Sequence, residues 1–261
     1  SPDAWVVAGR GELHLSILIE NMRREGYELQ VSKPQVIIRE IDGVMCEPFE
    51  RVQCEVPQEN SGAVIESLGA RKGEMLDMMT TDNGLTRLIF MVPARGMIGY
   101  TTEFMSMTRG YGIINHTFEK FRPRIKAKIG GRRNGALISM DQGSASTYAI
   151  LGLEDRGVNF MEPGTEVYEG MIVGEHNREN DLTVNITKTK HQTNVRSATK
   201  DQTQTMNRPR VLTLEEALQF INDDELVEVT PESIRLRKKL LNKSVREKEA
   251  KRVKQMMSDE E

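Results

Sequence analysis

From residue 49 to residue 121 the apolar positions switch between a period of two and a helical period, in the order strand, helix, strand, strand, helix, strand. Phe49, Val52, Cys54 and Val56 alternate with polar residues, as in a half-buried strand. Asn60-Ser61 then offers a helix N-cap, and Val64, Ile65 and Leu68 share one helical face ahead of Gly69 and Gly73. Residues 75–80 and 85–92 read as strands joined by Asp82-Asn83-Gly84, where the Asn-Gly pair predicts a type I′ hairpin turn. Tyr100, Phe104 and Met107 recur at helical spacing up to Gly110 and Gly112, and Ile114, His116 and Phe118 alternate in a last strand. This βαββαβ order predicts a ferredoxin-like module, with one sheet face under two helices and the other open for docking. Such a fold names no function by itself.

The flanks follow the same two periods. Residues 5–8 read as a short strand, and Gly9-Arg10-Gly11 turns into a helix with Leu15, Leu18, Ile19 and Met22 on one face. Gly26 ends that helix; Tyr27, Leu29 and Val31 alternate in a strand, and 36–38 continue extended after Pro34. Residues 1–42 thus form half of a second such module with an open sheet edge. The start at Ser1 without Met suggests a piece of something longer. Past Pro123 the pattern becomes short strands, at 125–129, 136–140, 147–153, 171–174 and 182–186, punctuated by Gly and Pro. That spacing predicts a compact β-barrel or sandwich. Thr213-x-x-Glu216 is a capping box ahead of Leu214, Ala217, Leu218 and Ile221. Asp223-Asp224-Glu225 reads as a solvated acidic turn, 226–229 and 234–237 as strands, and 238–254 as a charged, fraying helical tail. The expected class is α+β, with domains at 1–42, 43–122 and 123–261, the last β-rich with a few helices.

Charge narrows the partners. The net charge of −3 over 261 residues does not describe a uniformly basic nucleic-acid binder, but the charge is uneven. Residues 187–210 carry Lys188, Lys190, His191, Arg196, Lys200, Arg208 and Arg210 against the single acid Asp201, among Thr, Ser, Gln and Asn. So polar a stretch cannot offset its ordering entropy by burial, which predicts a mobile loop. Basic and amide side chains there suit phosphate and base-edge contacts that order on binding, although a merely solvated loop has the same composition.

Catalytic signatures are missing from the sequence. Gly9-Arg10-Gly11 lacks the third glycine of a dinucleotide fingerprint and reads as a tight turn, and no GxxxxGK[ST] phosphate loop occurs. His14, His116, His176 and His191 are scattered, without metal-ligand spacing. Ser144, beside Asp141, has no identifiable base. Cys46 and Cys54 read as reduced thiols of a cytoplasmic protein. No apolar run approaches the roughly 18 residues of a membrane helix, so no membrane partner is expected.

Longer motifs carry a resemblance. Gly9-Arg10-Gly11-Glu12-Leu13-His14-Leu15 and Lys33-Pro34-Gln35-Val36 resemble the end of the third domain of elongation factor G. Glu47-Pro48, Arg71-Lys72-Gly73 and Arg95-Gly96-Met97-Ile98-Gly99-Tyr100 resemble its fifth domain. The domain that normally separates the two blocks is missing, an arrangement shared by LepA and BipA. Asn134-Gly135-Ala136-Leu137-Ile138-Ser139, Val167-Tyr168-Glu169-Gly170-Met171-Ile172, Asn180-Asp181-Leu182-Thr183-Val184-Asn185 and Asp223-Asp224-Glu225-Leu226-Val227-Glu228-Val229-Thr230-Pro231 resemble the C-terminal domain of the BipA (TypA) family. The resemblance covers nearly the whole chain up to about Leu241.

The resemblance implies the C-terminal, ribosome- and tRNA-binding part of a translational GTPase linked to stress response and large-subunit assembly. GTP and Mg²⁺ would belong to an N-terminal G domain absent from this chain, so the fragment would bind without hydrolysing and would hold no cofactor of its own. Its implied partners are large-subunit RNA near the factor-binding region and the acceptor arm of a tRNA, with a monomer as the default state. Carried onto this chain, Lys188, Lys190, His191, Asn194, Arg196 and Ser197 are the RNA-contacting candidates, with Arg132, Arg133 and Asn134 beside them. The alternative is a protein-interaction module that docks through the open ferredoxin-like sheet.

Overall fold

A computed structural model describes residues 3–189 and 205–259. Of these, Pro34–Gly131 form one compact unit, and the residues up to Lys33 together with those from Arg132 onward form another. In chain order the elements begin with α1 (Glu12–Arg24), β1 (Leu29–Ser32), β2 (Arg39–Ile41) and β3 (Val44–Pro57). Next come α2 (Gln58–Ala70), β4 (Glu74–Thr80), β5 (Leu85–Pro93), α3 (Ala94–Met97), α4 (Tyr100–Met107) and β6 (Ile113–Pro123). The remainder comprises β7 (Ala136–Ser139), β8 (Gly143–Ser144), α5 (Thr147–Leu151), β9 (Gly157–Asn159), β10 (Glu166–Val167), β11 (Met171–His176) and β12 (Leu182–Val184). It closes with α6 (Leu214–Phe220), β13 (Glu225–Val229), β14 (Ile234–Lys238) and α7 (Lys243–Asp259).

The unit Pro34–Gly131 is the expected ferredoxin-like module. Its antiparallel sheet runs β4-β5-β3-β6, with β2 also paired to β3. Val52, Cys54 and Val56 of β3 and Leu88, Phe90 and Val92 of β5 point to one face, where Val64 and Leu68 of α2 and Tyr100 and Phe104 of α4 cover them. Local details differ from expectation. The helix starts at Gln58, and Asn60 instead donates its amide to the Met107 carbonyl at 3.1 Å, tying α2 to the end of α4. At the β4–β5 turn only Gly84 has positive φ, so this is a type I turn closed by a left-handed glycine. The type I′ geometry sits at Asp42-Gly43, where both φ values are positive, 51° and 76°.

Residues 125–129 form no strand. Their backbone is satisfied by side chains: Arg95 donates to the carbonyls of Ile125 (2.6 Å) and Ala127 (2.7 Å), and Glu47 accepts from the Ile125 N–H (2.9 Å). Arg95 and the fully buried Glu47 also pair directly at 2.6 Å. These contacts hold 124–131 within the compact unit Pro34–Gly131.

The other unit carries a seven-stranded sheet, β1-β13-β14-β11-β7-β12, with β9 paired to β11, and a two-stranded sheet of β8 and β10; among the described residues the strand order of the large sheet does not close into a barrel. Along β7, Ala136 and Ile138 face the core under α1 and α6, and Leu137 faces a second core that includes Ile150, Val173 and Val184. Burial on both faces explains its uninterrupted apolar run. The strand expected within 1–42 pairs with β13, Leu29 opposite Val229, which places residues up to Lys33 in this unit. Residues 4–9 are not a strand, and Trp5 is 81% exposed. The strand expected at 147–153 is helix α5, because the Ser146 hydroxyl accepts from the Ala149 N–H at 3.0 Å and caps it. The capping box of Thr213 and Glu216 starts α6 as expected.

Candidate nucleic-acid interface

Five of the sequence-chosen residues, Lys190, His191, Asn194, Arg196 and Ser197, lie outside the described residues. Lys188 is described, and its side chain is exposed. Its carbonyl accepts the Ser146 hydroxyl, so the residue that caps α5 also holds the strand leading out to 190–204. Just before it, Ile186 is buried and the Asn185 carboxamide accepts from the Thr187 N–H at 3.1 Å. On the return side the Asn207 N–H donates to the Glu154 carboxylate at 2.7 Å, and the Arg210 N–H to the Asn159 carbonyl at 2.9 Å. Arg210 itself is drawn to Glu175 at 3.3 Å and to Glu216 at 3.9 Å.

The neighbouring pair of arginines divides. Arg132 is only 4% exposed and is consumed inside the protein. It grips Glu225 with two nitrogens (2.8 and 3.0 Å) and donates to the carbonyls of Asn134 (2.6 Å) and Phe220 (3.2 Å). Its guanidinium carbon stacks 4.3 Å from the Phe220 ring centroid. Every N–H donor of Arg132 is directed at an acceptor within the protein, the remaining one at Asp181, 3.5 Å away. Arg133 is exposed, with no ion pair among the described residues. Asn134 is half-buried and donates its amide to Glu175 at 3.3 Å.

Arg132 belongs to a buried ionic cluster. Lys238, 2% exposed, reaches Asp181 (2.6 Å), Asp224 (2.9 Å) and Glu225 (3.4 Å). Burial alone would raise the Asp181 carboxyl, but the Lys238 ammonium, the Ala136 N–H and Arg132 outweigh it and hold that carboxyl below its ordinary value. Burial would likewise lower Lys238, yet Glu225, Asp181 and Asp224 raise its ammonium above the ordinary value. The cluster locks the 132–136 turn and the 177–181 loop onto the end of β13 and β14. Glu225 is therefore buried rather than solvated, and Lys238 ends a strand rather than starting a tail. A signal for both was present: period two places Glu225 with Val227 and Val229, and Lys238 with Leu236. The two charges face each other directly in the β13–β14 ladder.

The histidines are occupied structurally or lie apart. His14 accepts from the Arg10 N–H at 3.2 Å, His116 contacts Glu50 at 2.6 Å, and His176 meets the Asn180 carbonyl at 2.6 Å. His191 is outside the described residues. Among the described residues no three His, Cys, Asp or Glu side chains converge for a metal, and no helix is long and apolar enough to cross a membrane.

Residues 134–243 match the TypA/BipA C-terminal domain, and residues 44–129 match the elongation factor G C-terminus. The chain is 69% identical over 97% of its length to a Bacillus subtilis (strain 168) protein named large ribosomal subunit assembly factor BipA. It is 52% identical over 94% of its length to a Synechocystis protein of the same name. The chain spans only 42% and 41% of the length of these two curated relatives. A solved Thermus thermophilus structure overlaps 32% of this chain and 12% of its own at 28% identity, with a TM-score of 0.30. With both of its domains matched in order and this identity along nearly all of its length, the chain belongs to the BipA family and represents the C-terminal part of its members.

Proposed function

We propose that this chain is the ribosome-binding part of a large-subunit assembly factor, and that it contacts RNA through the basic segment 187–210. The similarity of 97% of the chain, at 69% identity, to a relative named for large-subunit assembly carries this reading. Lys188, exposed beside the anchored stem, supports it, as do the basic and amide residues Lys190, His191, Asn194, Arg196 and Ser197 that follow in the sequence. In the reading, large-subunit RNA near the factor-binding region and the acceptor arm of a tRNA are the partners. The chain acts as a monomer in the cytoplasm, in translation under stress and in ribosome assembly. It binds without hydrolysing GTP; nucleotide and Mg²⁺ belong to a G domain encoded outside this sequence.

Co-sedimentation with large ribosomal subunits across a salt series tests this. Binding should weaken steeply with salt, since each neutralised phosphate releases counterions. Lys188→Glu/Lys190→Glu/Arg196→Glu should lose it. Salt-independent binding, or full binding by the variant, would sink the RNA contact.

A second reading, protein docking through the ferredoxin-like module, has its own observation. Edge strand β4 leaves Met75, Leu76, Met78 and Met79 each at least 42% exposed. Met75→Lys/Met78→Lys should abolish subunit binding if that edge docks on a ribosomal protein, and leave it intact if the loop carries the contact.

A further inference from the structure

Arg133, Arg156, Arg178 and Arg208 are all exposed, and nothing among the described residues takes their guanidinium groups. They are far apart in sequence but sit on backbone segments bonded in series. The Gly135 N–H donates to the Arg178 carbonyl at 2.7 Å, and the Asn177 N–H to the Arg156 carbonyl at 2.9 Å. The Asn177 amide adds a bond to the Asp155 carbonyl at 2.9 Å. The Asn207 N–H, next to Arg208, donates to Glu154 at 2.7 Å.

Two glycines press these segments together. A β-carbon at Gly135 would collide with the Asn180 carbonyl, and one at Gly157 with the Glu175 carbonyl. Neighbouring backbones so bonded lie about 5 Å apart, within the reach of arginine side chains to successive phosphates of one strand. The nearby acids do not match these cations. Glu175 is taken by Arg210 and Asp181 by Lys238 and Arg132, while Glu154 accepts from the neutral Asn207 N–H and keeps its charge. Asp155 and Glu179 are exposed and reduce the field without cancelling four cations.

We propose that Arg133, Arg178, Arg156 and Arg208 form a preorganised track for the sugar-phosphate backbone of RNA, leading to the root of the 190–204 segment. The proposal deepens the ribosome-binding reading and rests on it for the source of the RNA. Its chemistry is distinct, because the rigid track supplies salt-dependent affinity without the loop. Four cations that carry no ion pair among the described residues have none of those to break when a phosphate arrives.

The test uses the full chain, a labelled A-form RNA hairpin and purified large ribosomal subunits, between about 50 and 200 mM salt. Arg133→Glu/Arg156→Glu/Arg178→Glu should weaken hairpin binding about ten-fold or more and flatten the log–log salt slope by about 2–3. Arg124→Glu/Lys126→Glu/Lys128→Glu, exposed and in the other unit, makes the same charge change and should have little effect. Lys188→Glu/Lys190→Glu/Arg196→Glu should keep most of the hairpin slope, and Asp155→Asn/Glu179→Gln should tighten binding. Thermal melts of the track variant should match wild type, since these side chains have no partner among the described residues.

The track is overturned if its variant binds like wild type or loses no more than the charge-matched control. It is overturned equally if the wild-type chain does not bind the hairpin, or binds it without salt dependence. If the hairpin binds through the track while wild type fails to bind large subunits, the ribosome reading falls and the track stands. If subunits bind and the track variant binds them and the hairpin unchanged, the track falls and the ribosome reading stands.

Discussion

Adjacent arginines should have opposite phenotypes. Arg132→Gln removes a guanidinium that makes two bonds to Glu225, at 2.8 and 3.0 Å, and bonds to two carbonyls. Glu225 is fully buried and would keep only Lys238, 3.4 Å away, as a counter-charge. Breaking a buried pair from one side costs about 3–5 kcal/mol. The remaining Lys238 puts this case near the lower end, about 3 kcal/mol. For a unit of this size each kcal/mol moves the midpoint by about 2–4 °C, so the transition should fall by about 6–12 °C. Arg133→Gln, next in sequence, exposed and without an ion pair among the described residues, should move it by less than about 2 °C, because surface changes stay within about 0.5 kcal/mol. Differential scanning calorimetry reads both, and circular dichroism at 222 nm is preferable to fluorescence because the one tryptophan, Trp5, is 81% exposed. RNA-hairpin binding measured below both transitions should reverse the order, with Arg133→Gln weakened and Arg132→Gln near wild type. Equal melting of the two variants, or a loss of RNA binding by folded Arg132→Gln as large as that of Arg133→Gln, would refute the division.

Three further outcomes follow from named contacts. Gly157→Ala should lower the urea-extrapolated stability by at least about 1–3 kcal/mol, since its β-carbon would strike the Glu175 carbonyl and open the β9–β11 ladder. Burial pushes the Cys54 thiol up to about 12, so native-state alkylation followed by mass spectrometry at pH 8 should leave Cys54 unmodified until urea unfolds the module. The Asp181 carboxyl is held below its ordinary 3.8, so its ionised form stabilises the fold above that pH, and the contribution disappears as pH falls through the lower folded value. Asp181→Asn should therefore be less stable than wild type at pH 7, with the difference shrinking below about pH 4 in urea melts; a difference independent of pH would remove Asp181 from the ionic cluster.

Features that depend on neighbours a few residues apart are legible in the written chain. The alternation of Val52, Cys54 and Val56 and the helical spacing of Tyr100 and Phe104 already specify which face of each element is apolar, and the ferredoxin-like module follows. The Thr213–Glu216 capping box is a local bond pair and starts α6 as its spacing requires. Of the candidate interface, the exposed cations Lys188 and Arg133 were legible as charge without an adjacent acid. Tertiary structure decided everything that depends on a distant partner. Arg132 and Arg133 are indistinguishable in sequence; only Glu225, 93 residues away, makes one a buried strut and leaves the other to solvent. Residues 125–129 read as a strand until Arg95 and Glu47 claim their backbone. Residues 147–153 have strand-like composition, but a single serine cap turns them into α5. The proposed arginine track has no sequence signature, because the backbone segments that carry it are brought together only by long-range bonds such as Gly135 N–H to the Arg178 carbonyl and Asn177 N–H to the Arg156 carbonyl. Period and capping are short-range and survive in the written chain; the burial of a charge is a balance between desolvation and a partner, and that partner is supplied by the fold.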